Sequence, residues 1–300
     1  MKNKNDVTII LPTLNEEEPI GPVIDELREF GYNNIIVIDG HSTDKTREIA
    51  ESKKVEFHLQ KGKGKADGIK TVLEYVKTPY LLIMDCDYTY DARDIEKFLE
   101  KIKYANQVIG IRDLRSKEIP KFNQFGNSLI TRAFNLVMGA DLNDICCGMY
   151  MFQTDFLKRI DIKLTGYQIE LELASKTGEY GKIAEVPINY RQRLGETKMS
   201  AVREGINVFK NLFKFSKVYN PALLFSVFAG LLIIPGFVLL GYVGILWLEN
   251  PQNFRSGIVQ IAIVLIIMGT NAIAFTLISS HLRGVDRKLN ALIWNLNNKN

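Results

Sequence analysis

Cysteine, histidine and tryptophan are all scarce in this chain of 300 residues, with three, three and two copies. Cys86, Cys146 and Cys147 form neither a disulfide framework nor a zinc-type pair, and they suit a reducing compartment. Strong charge of one sign is also missing. A net charge of +4 is too weakly basic to indicate nucleic acid. No basic stretch is interleaved with aromatics, and the cluster Lys61-Gly62-Lys63-Gly64-Lys65 is a single loop. Met1–Asp6 leads straight into a strand pattern, so no secretory signal is expected. Repeats and low-complexity tracts are absent. Before residue 220 there is no long apolar run; beyond it, charge is what disappears.

The first hundred residues alternate short apolar runs with helical patterns. Val7–Leu11, Ile35–Ile38, Val55–Leu59 and Tyr80–Met84 read as strands, with helices near 19–30, 43–53, 65–77 and 91–103 between them. This rhythm predicts an α/β fold: a mostly parallel, Rossmann-like sheet with helices on both faces. Val108–Ile111, Gly148–Phe152 and Ile183–Tyr190 add further strands, and Pro187 favours an edge position for the last.

Residues 201–219 predict an amphipathic interfacial helix. Val202, Ile206, Phe209 and Phe213 share one face, while Arg203, Lys210, Lys214 and Lys217 offer charge to anionic headgroups. Residues 221–248 and 257–279 are charge-free and long enough to cross a core of about 30 Å as a transmembrane hairpin over 220–282. Pro235 predicts a kink in the first crossing. Asn271 within the second reads as interhelical glue or a headgroup contact. Basic residues precede the first crossing, and Arg283, Arg287 and Lys288 follow the second. The charge bias puts the unit 1–200, the tail 283–300 and both termini in the cytoplasm of a two-span membrane protein.

Candidate chemistry gathers at strand exits, where open α/β sheets bind ligands. The fourth strand ends in Asp85-Cys86-Asp87, a carboxylate pair able to share a hard divalent cation that bridges phosphates. The first exit carries Pro12-Thr13-Leu14-Asn15-Glu16, where Asn15 or Glu16 also fits a simple helix cap. Asp39 at the second exit, followed by Gly40 and His41, can accept from a base N–H or a ribose hydroxyl. The third loop, Lys61 to Gly68, brings Lys65, backbone N–H groups and a helix N-terminus to an anion. It has neither the Walker A order nor the dinucleotide fingerprint. Each signal is weak singly; together they describe a nucleoside diphosphate site with a metal.

Pro12-Thr13-Leu14-Asn15-Glu16, Ile38-Asp39-Gly40-His41-Ser42-Thr43-Asp44 and Asp85-Cys86-Asp87 resemble the family 2 glycosyltransferases of the GT-A fold. Cys147-Gly148-Met149, Glu185-Val186-Pro187 and Arg193-Leu194-Gly195-Glu196-Thr197-Lys198 resemble the branch of dolichyl-phosphate mannose and glucose synthases and related polyprenyl-phosphate glycosyltransferases. The opening motifs are similar to archaeal dolichyl-phosphate sugar synthases. The resemblance implies an inverting transferase that moves a sugar from a nucleotide sugar to dolichyl or polyprenyl phosphate. UDP-N-acetylglucosamine is the favoured donor, with UDP-glucose or GDP-mannose as alternatives. Mg²⁺ or Mn²⁺ is the implied cofactor.

Residue by residue, the resemblance implies that Pro12, Leu14 and Glu16 line the nucleotide and that Asp39 meets the base. Asp85 and Asp87 face the diphosphate, with Asp87 the principal metal ligand. Arg112 faces the acceptor phosphate, Arg193 and Lys198 close over the donor phosphates, and Glu170 or Glu172 lies near the sugar. Thr89 stands where many members carry a metal-coordinating glutamine, so Thr89 or water completes that shell. A processive polysaccharide synthase is the poorer reading, because neither Trp247 nor Trp294 follows an arginine.

Overall fold

The computed structural model describes residues 4–113, 119–162, 169–195, 216–217 and 220–297. The chain divides into two compact units, Met1–Phe209 and Lys210–Asn300. The expected interfacial helix, residues 201–219, lies almost wholly outside the described residues.

In the first unit, seven strands form one sheet: β1 (Val7–Thr13), β2 (Ile35–Asp39), β3 (Glu56–Leu59), β4 (Tyr80–Met84), β5 (Gln107–Arg112), β6 (Met149–Gln153) and β7 (Ile183–Ile188). Their order is β3-β2-β1-β4-β6-β5-β7. β3, β2, β1 and β4 run parallel, and β5 pairs in parallel with β7. β6 is antiparallel to both β4 and β5. β2 is buried throughout and β1 nearly so, as strands covered on both faces must be. β7 is an edge strand, where Pro187 leaves no ladder donor missing.

The connecting helices are α1 (Ile20–Glu29), α2 (Thr46–Ser52), α3 (Lys65–Val72), α4 (Ile95–Lys101), α5 (Lys121–Met138), α6 (Thr154–Arg159) and α7 (Ile169–Tyr180). α1 buries Ile20, Val23, Ile24 and Leu27, the spacing of a single helical face. The last three helices have no counterpart in the sequence reading.

This topology decides what meets at one edge. The carboxyl ends of β1, β2 and β4 share it. The reversed β6 contributes its amino end there, with Met149 opposite Met84. β5 and β7 return to the same edge with Arg112 and the segment after Ile188.

The second unit is built on α8 (Pro221–Glu249) and α9 (Ser256–Asn297), two long apolar helices packed together. Both hold segments long and apolar enough to cross a membrane, Pro221–Glu249 and Ser256–Asp286. Side chains such as Leu231, Ile234 and Leu277 are about two-thirds exposed, as lipid-facing residues would be. Ala222, Ala229, Gly236 and Val243 are buried at seven-residue intervals, the repeat of a helix–helix seam. A Cβ on Gly269 would lie 2.3 Å from Ile233 Cγ1, so glycine sets the closeness of the pair. The assigned helix α8 runs through Pro235 unbroken, and α9 continues past residue 279. Asn271 donates to Ile267 O of its own helix at 2.9 Å, in place of the expected interhelical contact. Ser226 and Thr276 supply a hydroxyl contact across the pair at 3.5 Å.

Candidate active site

The two aspartates after β4 are each paired with a basic residue. Lys65 Nζ, at the start of α3, lies 2.6 Å from Asp85 Oδ1 and 2.6 Å from Glu170 Oε1. Its ammonium also sits 5.5 Å above the ring of Tyr150. Burial works against the Lys65 charge, but Asp85 and Glu170 outweigh it and hold the ammonium well above its ordinary range.

Asp87 Oδ1 accepts from Thr89 Oγ1 at 2.5 Å and from Thr89 N at 3.2 Å. Its Oδ2 faces Arg193 Nη1 at 3.1 Å, and Arg193 Nη2 reaches Glu16 Oε1 at 2.9 Å. Burial, then the charge of Asp85, push the Asp87 carboxyl upward; Thr89 and Arg193 only partly offset them.

Arg193 is placed by a segment folded back over the β4 exit. Arg191 N donates to Thr89 O at 2.8 Å and Leu194 N to Asp87 O at 3.1 Å. Arg191 further donates to Glu26 and to Tyr90 O, and stacks over Tyr88 at 4.3 Å.

Gly148 explains its motif. A Cβ there would lie 1.9 Å from Asp85 Oδ2, so only glycine admits the carboxylate. Its N–H donates to Tyr90 Oη at 2.8 Å. Cys147 beside it is buried, and burial pushes its thiol up to about 12, which suits packing and not nucleophilic chemistry.

The first and second loops are laced together. Asn15 N donates to Ser42 Oγ at 2.7 Å, Thr43 N to Asn15 Oδ1 at 2.7 Å, and Glu16 N to Thr46 Oγ1 at 2.7 Å. Asn15, His41 and Tyr88 take positive φ angles of 54°, 67° and 67°. Such backbone is costly outside glycine and tends to cluster at functional loops. Asp39 is buried within this lacing, while Leu14 is 40% exposed and Pro12 half-buried.

Arg112 ends β5 as a buried guanidinium. Its Nε and Nη2 make a fork with Asp144 at 2.7 and 2.9 Å, and Tyr190 lies 5.4 Å away. Glu170 and Glu172 stand two apart on α7 and so face different directions. Glu170 reaches Lys65; Glu172 is 1% exposed. Lys198 lies outside the described residues. Asp144, Thr13 and Tyr90 were not singled out in the sequence, since a buried supporting polar residue carries no local pattern; Ser42, read as a possible helix cap, instead bonds Asp39.

The donor set fits a divalent cation. Two carboxylates leave one strand end, and burial, then the charge of its neighbour, push the Asp87 carboxyl toward its neutral form. Mg²⁺-type sites use one or two carboxylates and fill the rest with substrate phosphate and water. Among the described residues no third His, Cys, Asp or Glu joins the pair. Thr89, with its hydroxyl proton on Asp87, orients that carboxylate.

Residues 8–161 match the family Glycosyl transferase family 2. The chain is 31% identical over 295 residues to the glycosyltransferase AglJ of Haloferax volcanii, covering 96% of this chain and 97% of that protein. It is 31% identical to a dolichyl-phosphate hexose transferase of the same organism, over 70% of this chain and 93% of that one. Among solved structures, glucosyl-3-phosphoglycerate synthase from Mycobacterium tuberculosis, in complex with Mn²⁺, UDP-glucose and phosphoglyceric acid, superposes with a TM-score of 0.58. It covers 70% of this chain and 79% of that one, and at 18% identity the likeness speaks for the fold alone. The carboxylate pair at the strand edge thus sits in a sequence whose match spans more than half of its length, and the chain belongs to glycosyl transferase family 2.

Proposed function

We propose that this enzyme transfers a sugar from a nucleoside diphosphate sugar to the phosphate of a dolichyl or other polyprenyl lipid, with inversion at the anomeric carbon. The observation that carries the reading is the pair Asp85 and Asp87, each held by its own cation, in a chain that also has two membrane-length helices. The dolichyl-phosphate hexose transferase relative supports the lipid acceptor. The basic residues flanking the apolar helices support a cytoplasmic active site.

Mg²⁺ or Mn²⁺ held by Asp85 and Asp87 would neutralise charge on the departing nucleoside diphosphate. Lys65 and Arg193 orient those carboxylates, and both are placed to turn toward the donor's phosphates. Thr89 fixes the Asp87 side chain. Pro12, Leu14, Glu16 and Asp39 line the nucleotide, and Lys198 joins Arg193 over its phosphates. Asp144 takes two of the N–H groups of Arg112 for orientation and Tyr190 bonds the same guanidinium, and the remaining N–H groups serve the acceptor phosphate. A phosphate monoester has a second pKa of about 6, so the nucleophile is largely anionic at neutral pH. It needs positioning more than a general base, and Glu170 acts as the counter-charge of Lys65.

The test is a panel of radiolabelled sugar nucleotides given to membranes containing the protein, followed by lipid extraction. Label in a lipid-phosphate sugar, with release of a nucleoside diphosphate, is the expected result. Label confined to polymer, or release of pyrophosphate, would overturn the proposal.

A further inference from the structure

Along α9, Val264, Met268, Ile278, Leu282, Val285 and Leu289 are each 48–57% exposed. With Asn271 and Phe275 they stand alternately four and three residues apart, and the sequence carries the same spacing on through Leu292 and Leu296. A repeat of about 3.5 residues is the period of a seam between two helices that supercoil around each other. α8 packs on nearly the opposite side of α9, against Ala262, Ile266 and Gly269, although Phe275 also reaches Phe225 at 5.6 Å. Asn271 interrupts the stripe inside the apolar span. Its Nδ2 donates to Ile267 O at 2.9 Å, and among the described residues no donor meets its Oδ1. A polar side chain at such a depth is commonly bonded to another helix. Past Leu282 the helix runs on to Asn297, about 22 Å at 1.5 Å per residue. Being continuous with a membrane crossing, this part stands away from the bilayer, and lipid tails do not cover Val285 and Leu289.

We propose that this stripe is the seam of a parallel homodimer, in which α9 of one copy supercoils with α9 of a second. The inference rests on α8 and α9 crossing the bilayer and is independent of the sugar transferred. Both copies enter the membrane in the same direction, so the two helices run parallel and each seam residue meets its own counterpart. Asn271 then faces Asn271, and each amide supplies the donor that the other's Oδ1 lacks. A single asparagine among apolar seam residues fixes the register of such a pair. In the same alignment, flanking residues five positions apart face each other across the seam. That sets His281 of one copy opposite Asp286 of the other, an N–H donor against a carboxylate. A covering from the soluble part of the same chain would reach Val285 and Leu289 but not Asn271 and Val264 inside the span. A second α9 matches the stripe along its whole length, about 38 Å from Val264 to Leu289.

The experiment uses the full chain in two settings. In membranes, Ile278→Cys and Leu289→Cys on the seam, and Leu277→Cys and Gly284→Cys beside it, are oxidised and read on non-reducing gels. Disulfide-linked dimer is expected at the two seam positions, above the level given by the unmodified protein and by the two controls. In detergent micelles, light scattering over a dilution series should give the mass of two chains of 34.1 kDa. Asn271→Leu should raise the dissociation constant by about 3- to 30-fold, and Leu289→Glu, which sets like charges face to face, should abolish the dimer. Both residues are exposed within one chain, so each protomer keeps its fold, and melts of the variants confirm it. A one-chain mass throughout the series would overturn the inference. So would cross-linking no stronger on the seam than beside it, or a dissociation constant unchanged in both Asn271→Leu and Leu289→Glu. Leu289→Cys linked to a native cysteine of its own chain would show the soluble part covering the stripe, and would overturn it too. If the protein stays in solution without membrane or detergent, the membrane crossing and the seam fail together. If the dimer forms but no sugar reaches a lipid phosphate, the inference stands and the proposed function fails. If a monomer glycosylates the lipid, the function stands and the inference fails.

Discussion

Replacing Lys65 by methionine removes the one cation shared by Asp85 and Glu170 and strands both carboxylates. The side chains of Lys65 and Glu170 are 11% and 13% exposed, whereas that of Asp85 is 39% exposed. Breaking a buried pair costs about 3–5 kcal/mol, chiefly through the charge left behind. Water screens Asp85, so its share is small, about 0–1 kcal/mol. Glu170 carries the penalty, and the expected loss lies at the low end, about 3 kcal/mol. For a unit of this size that lowers the melting temperature by about 6–12 °C. The sign with pH is fixed by the direction of the Lys65 shift. Its pKa is raised above 10.5, so its contribution is complete below that value and fades only as pH climbs through the folded value. The difference between wild type and Lys65→Met should therefore be flat across about pH 6–9. Adding Glu170→Gln to Lys65→Met should restore most of the loss, and the double-mutant cycle isolates the coupling. Thermal melts of the full chain in micelles measure all four proteins. A Lys65→Met melt within about 2 °C of wild type, or no recovery in the double variant, would refute the buried-triad reasoning.

Other outcomes follow from the same geometry. Asp87→Ala should lower lipid glycosylation by about 100- to 1000-fold, the scale for losing a charge-stabilising group, and Glu170→Gln should lose less; initial rates by lipid extraction decide it. Gly148→Ala forces Asp85 away from its place and should reduce the rate as much as Asp85→Ala, with a retained far-ultraviolet dichroism spectrum showing that the sheet persists. Asp87 holds its proton more tightly folded than unfolded, so its contribution to stability falls as pH rises from 3.8 through the raised folded value. Asp87→Asn should flatten that slope in melts taken across the acid range. Removing residues 221–300 should abolish transfer to a native-length lipid while nucleotide binding, followed by calorimetry, survives.

The motifs at the strand exits were legible because each is local. Asp85-Cys86-Asp87 follows an apolar run, and Asp39 follows another. Pro120 and Gly139, the latter at φ 65°, bracket α5 as ordinary start and stop signals, yet the helix between them holds glycine, asparagine and serine and shows little propensity. α7 buries Glu172, which breaks its apolar stripe. The reversal of β6 was hidden as well, since a short apolar strand reads the same in either direction.

What the sequence alone determined was the α/β alternation, the family, the carboxylate pair and the two apolar helices, because period, composition and motif act over a few residues. Only the tertiary structure decided that β6 runs backwards and so sets Gly148 beneath Asp85. It alone decided that Glu170 answers Lys65 across 105 positions, and that Thr13 and Ser42 donate to Asp39. Those contacts depend on which chain segments share a sheet edge, and that is settled by burying the whole sheet at once.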